Sequence, residues 1–115
     1  MAETYTPIEM LGKLVSFDTT SAFSNMELID FVRDYLSQYG VEATVLPNED
    51  GTKANLFATI GPSKPGGVAL SGHTDVVPVV GQPWDTDPFE LVENGSRLYG
   101  RGTCDMKAFS ATALA

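Results

Sequence analysis

Val68-Ala69-Leu70-Ser71-Gly72-His73-Thr74-Asp75-Val76-Val77-Pro78 decides how this chain is read. Val68-Ala69-Leu70 is short and wholly apolar, as expected of a strand buried on both faces of a sheet. It gives way to a loop that carries the chain's one histidine, with a carboxylate two residues later. Ligand sites in open α/β sheets gather at the carboxyl ends of strands, and by this reading His73 falls at such an end. Further along, Tyr99-Gly100-Arg101-Gly102-Thr103-Cys104-Asp105-Met106-Lys107 places another carboxylate where a glycine-rich loop turns into a helix. Imidazole and carboxylate are ligand types that zinc accepts. Two loops at one end of a sheet can bring them together.

Working outward, Thr6-Pro7-Ile8-Glu9 opens a helix. Thr6 caps it, Pro7 fits the first helical position and Glu9 completes a capping box. Ile8, Leu11, Leu14 and Val15 fall on one face. Ser24-Asn25-Met26-Glu27 reads as a second capping box. Leu28, Phe31, Val32, Tyr35 and Leu36 follow at amphipathic spacing, and Gly40 ends the helix. Both helices are expected on one face of a sheet. Val41 to Leu46 alternates like a half-buried strand, and Ala54 to Ile60 is a second. Phe89 to Val92, Asn94-Gly95 and Arg97 to Tyr99 form a hairpin pattern. A last helix begins at Met106, and the chain stops within it. This order fits an α/β domain with a mixed sheet flanked by helices.

The 115 residues allow one domain, and an apolar share of 43% is globular. A net charge of −8 disfavours nucleic acid and anionic membranes as partners. Its plainest meaning is solubility. One cysteine, Cys104, excludes an intrachain disulfide. No basic leader precedes an apolar run and no apolar stretch spans a bilayer, so a cytoplasmic location is expected.

Gly72-His73-Thr74-Asp75-Val76-Val77-Pro78 resembles the first metal motif of the zinc-dependent aminoacylase/carboxypeptidase family of co-catalytic metallohydrolases, peptidase family M20. Gly100-Arg101-Gly102-Thr103-Cys104-Asp105-Met106-Lys107 resembles its second. Within the family, Thr103-Cys104 and the loop Gln82-Pro83-Trp84-Asp85-Thr86-Asp87-Pro88-Phe89 look like the acetylornithine deacetylase branch. The resemblance implies that residues 1–115 are the N-terminal part of a catalytic domain of zinc-exopeptidase (phosphorylase/hydrolase-like) type. A lid or dimerisation domain and a C-terminal portion would lie outside the chain. Ala108 departs from the pattern, which has glycine there.

The resemblance also implies roles. His73 and Asp105 would be metal ligands, Asp105 bridging two zinc ions, with cobalt able to substitute. Asp75 would be the catalytic aspartate that accepts the second N–H of His73, a contact that fixes tautomer and basicity. Read without the family, His73 is a hydrogen-bonded turn residue, Asp75 a turn cap and Asp105 a helix N-cap. The Asp105-Met106 peptide is a candidate for the cis form. Arg101 either pairs with a carboxylate or faces solvent. Cys104 is expected to be a buried, inert thiol. Trp84, Pro88 and Phe89 read as loop anchors.

The implied reaction is hydrolysis of an N-acyl amino acid amide, first N2-acetylornithine in arginine biosynthesis. A desuccinylase, aminoacylase or dipeptidase of the same family is the alternative, and a non-catalytic associating fragment is another. The partner is a small molecule, with a homodimer expected of the complete enzyme. By the resemblance, the base and remaining ligands lie beyond Ala115. The chain alone is therefore expected to be a poor catalyst that exposes an apolar sheet edge or face.

Overall fold

A computed structural model describes residues 2–115. Helix α1 spans Pro7–Val15. Its capping box forms as the sequence predicts: Thr6 Oγ1 accepts from Glu9 N at 3.2 Å, and Glu9 Oε2 accepts from Thr6 N at 2.8 Å. Met10, Leu11, Leu14 and Val15 are buried, while Ile8 is exposed, so the buried stripe is rotated from the expected one.

Helix α2 spans Met26–Ser37. Its expected capping box does not form. Asn25 stands at the cap position without capping, and Ser24 Oγ accepts from Met26 N instead. The end does follow the sequence. Gly40 takes φ +74°, and Val41 N donates to Leu36 O while Gly40 N donates to Ser37 O, the paired bonds of a Schellman stop.

Strands β1 (Ala43–Pro47) and β2 (Ala54–Ala58) pair antiparallel, Val45 opposite Leu56. Strands β3 (Val92–Asn94) and β4 (Arg97–Tyr99) form a second, separate hairpin. Helix α3 spans Lys107–Leu114. The coarse α/β reading stands, but the expected mixed sheet is replaced by two small antiparallel ones. Nor do the first two helices share a sheet face. Helix α1 packs against α3, and α2 lies on the β1–β2 hairpin.

The segment Val68–Ser71 corrects the opening expectation. It pairs with no strand, and Val68 and Leu70 are 89% and 64% exposed. A strand buried on both faces needs hydrogen-bonded neighbours on both edges. None of the described residues supplies them here. Parallel pairing occurs further along instead: Thr20 bridges Val76, with Val76 N donating to Thr19 O at 3.0 Å and Ser21 N to Val76 O at 3.1 Å. His73 therefore stands in an extended loop, not at the end of a sheet strand. The expected exposed apolar surface is present, with Phe57, Ile60, Val68 and Leu70 open to solvent.

The core joins the apolar faces of α1 and α2 to Ala54 and Ala111. Tyr35 ties two helices together, its hydroxyl donating to Leu114 O at 3.1 Å. No helix among the described residues is long and apolar enough to cross a membrane.

Candidate metal-binding site

Three local features bring the 71–76 loop and the 100–107 loop together. Gly72 lies so close to α3 that a Cβ there would stand 2.9 Å from Ser110 Oγ. A side chain there would force Ser110 or the loop itself to shift. Thr19 Oγ1 donates to Thr74 O at 2.6 Å, and Asn25 Nδ2 donates to Thr74 Oγ1 at 2.9 Å. On the other side, Gly102 takes φ +92° and lets Lys107 and Val76 pack against it.

The outcome is direct. His73 Nε2 and Asp105 Oδ1 are 3.0 Å apart. His73 Nδ1 faces Asp75, 3.0 Å from its backbone oxygen and 3.1 Å from its Oδ1. The backbone carbonyl thus shares the contact that the sequence assigned to the carboxylate alone. Ser21 Oγ donates to Asp75 Oδ2 at 2.6 Å, which fixes that carboxylate in turn. The Asp105-Met106 peptide is cis, as expected. Asp105 does not act as a helix cap; its carboxylate goes to His73.

The electrostatics follow from these contacts. The hydrogen bond to Asp105 raises the His73 imidazole above its ordinary 6.5, helped by the Asp75 backbone and opposed by partial burial. Asp75 is held below the usual carboxylate value, first by the Ser21 hydroxyl and next by the charge of His73, against partial burial.

Two ligands of one zinc ion with bonds of about 2.0–2.1 Å stand roughly 3 Å apart. The His73–Asp105 separation of 3.0 Å fits that spacing. Half of the imidazole and most of the Asp105 side chain remain exposed, so their donor atoms are accessible. The surrounding cleft, about 460 Å³, is lined by His73, Asp75, Arg101, Cys104 and Asp105 among others. Among the described residues, no cluster of three or more His, Cys, Asp or Glu groups forms a complete cage. The pair fits part of a zinc shell, short of the usual three or four protein ligands.

Other expectations change here. Cys104 is exposed on the cleft wall, because the loop turns its side chain outward. Arg101 neither meets a carboxylate nor extends freely. Its guanidinium lies over Trp84, 5.1 Å from the ring centre, and bonds Gln82 Oε1. Trp84 is a loop anchor in that sense, as is Pro88, whose carbonyl accepts from Arg101 N at 2.7 Å. Ala108 packs at the core margin without disturbing α3.

Sequence reading missed Lys107. It is 1% exposed, and its Nζ donates to Leu14 O and Phe17 O, each at 2.9 Å. Burial pushes its ammonium down to about 8, against the pull of Asp18. Asn25 was also missed, since a helix-cap pattern hid its long-range bonds. The one available signal for Lys107 was a cation at the start of an otherwise uncharged helix.

The sequence of residues 69–115 matches the profile of peptidase family M20/M25/M40. Over most of its length the chain is similar to curated acetylornithine deacetylases. It is 40% identical to that of Pasteurella multocida, covering 93% of this chain and 30% of the relative. It is 41% identical to that of Photorhabdus laumondii, covering 90% and 29%. It is 44% identical to that of Shigella sonnei, covering 93% and 30%. The chain thus spans about 30% of the length of the curated relatives it matches. Profile and relatives agree: the chain is similar to peptidase family M20 over residues 69–115, and acetylornithine deacetylases are among the proteins it resembles.

Proposed function

We propose that this chain contributes two metal ligands to a zinc-dependent amidohydrolase that deacetylates N2-acetylornithine to ornithine and acetate. One observation carries the reading: His73 Nε2 and Asp105 Oδ1 meet at 3.0 Å, with Asp75 behind the imidazole. The relatives' names support the substrate.

Within this reading His73 and Asp105 hold the metal. Bound zinc would polarise the amide carbonyl and lower the pKa of water. Asp75 keeps the His73 ring in one orientation and presents Nε2 to the cleft, because both of its nearby oxygens accept from Nδ1–H. Ser21 in turn keeps the Asp75 carboxylate from rotating away. The remaining ligands and the proton-transferring base are assigned to the part of the relatives' length that this chain does not span.

The test compares hydrolysis of N2-acetylornithine, succinyl-diaminopimelate and a dipeptide by the protein at its full natural length, with zinc or cobalt. The expected result is the highest kcat/KM on N2-acetylornithine and loss of activity in His73→Ala. Preference for either other substrate would move the protein to another branch of the family. Activity retained in His73→Ala would remove the metal site from the mechanism.

A further inference from the structure

Asp105 is poorly held by its own side chain. That side chain is 85% exposed, and His73 is its one side-chain hydrogen-bond partner among the described residues. Exposed pairs of this kind contribute little to stability, too little to fix a loop. The hold comes from two residues further on.

Lys107 runs inward from the first position of α3. Its ammonium reaches the C-terminal end of α1 and donates to Leu14 O and Phe17 O. Leu14 O lies in the last turn of α1, where its backbone donor Phe17 N stands at a long 3.3 Å, and the helix dipole favours a cation there. On the way its chain passes beneath Gly102, where an added Cβ would stand 3.1 Å from Lys107 Cδ and 3.3 Å from Val76 Cγ1. The backbone N of Lys107 also donates to Gly102 O at 2.9 Å. Lys107 therefore ties the end of α1 to the loop that leads into Asp105, and Gly102, which it packs beneath, also faces Val76.

We infer that Lys107 is a positioning residue for the metal site: by anchoring the Gly102–Asp105 loop to α1, it sets where the Asp105 carboxylate stands relative to His73. The inference rests on the metal-site reading above. An apolar side chain of similar length fills the space but removes the ammonium from both carbonyls, which keep only their backbone donors Phe17 N and Thr19 N, so the loop loses its polar tie to α1.

The test uses cobalt(II) as the probe on the protein at its full natural length. Absorption titration gives affinity and the visible bands give ligand geometry, while thermal unfolding gives stability. Lys107→Met and Lys107→Gln are compared with Leu36→Ala, a buried change on α2 away from the site. The Lys107 variants are expected to bind cobalt about 10- to 100-fold more weakly, as loss of a ligand-orienting partner does, and to shift the bands. Leu36→Ala is expected to stay within about twofold in affinity despite its lower stability. If Lys107→Met does not fold, the milder Lys107→Gln decides by the same comparison. Lys107 variants that lose stability but keep affinity and bands would overturn the inference alone. A parent protein that binds no cobalt, or that still binds it after His73→Ala, would overturn the metal-site reading and this inference with it.

Discussion

His73 Nε2 and Asp105 Oδ1 meet at 3.0 Å although 32 positions separate them in the chain. Isolated loops would not hold that distance. It is produced by Gly72 against Ser110, by Thr19 and Asn25 on Thr74, and by Lys107 beneath Gly102. Calorimetric zinc titration of the 115-residue polypeptide should therefore show binding that weakens by more than about tenfold in both His73→Ala and Asp105→Ala. Binding indifferent to both substitutions would mean that the two side chains do not share an ion.

The metal-free imidazole should titrate above 6.5, because the hydrogen bond to Asp105 favours its charged form. The sign for stability follows. A raised folded-state value means that the pair's contribution is fully present below the unfolded value and is lost as pH rises through the folded one. NMR of the His73 ring protons should show this raised midpoint, and Asp105→Asn should move it down. An unchanged midpoint in Asp105→Asn would argue against the contact in solution.

Asn25 should matter for stability more than its cap position suggests. Its side chain donates to Ala54 O at 3.0 Å and accepts from Ala54 N at 3.0 Å, as a neighbouring strand would. It also donates to Thr74 Oγ1. Asn25→Ala leaves those partly buried groups unpaired and should cost about 1–3 kcal/mol in denaturant unfolding. Asn25→Asp should recover part of this, since it keeps an acceptor for Ala54 N. A loss below about 0.5 kcal/mol would show that water replaces the amide.

Gly102→Ala should destabilise by about 1–3 kcal/mol. The position has φ +92°, and the new methyl would meet Lys107 and Val76 at 3.1–3.3 Å. Gly95→Ala, also at positive φ but with nothing near, isolates the backbone component. Equal unfolding midpoints for the two variants would show that packing around Lys107 adds nothing at Gly102.

Local signals were legible where local physics decides the outcome. The α1 cap, the Gly40 stop and the existence of a hairpin before Tyr99 needed only neighbours in the sequence, although its first strand is Val92–Asn94, not Phe89 to Val92, and its turn is Gly95-Ser96. The second cap pattern failed because Asn25 found better partners in β2 and beside His73. Val68–Ser71 failed because an apolar run shows a preference for burial and says nothing about whether neighbouring strands are present to bury it. Cys104 failed because a residue type's average burial does not fix which way a loop side chain turns.

Two motifs read along the chain carried the likeness to a family and the residues worth testing, because side chains in a given order are a local property. Tertiary structure alone decided that Nε2 of His73 faces Asp105 while Nδ1 faces Asp75, and that Lys107 is a buried tie to α1. Those facts depend on long-range packing and hydrogen bonds between segments up to 93 positions apart. No spacing along the chain encodes such distances. They follow only when the helices close on one another and each buried polar group must find a partner.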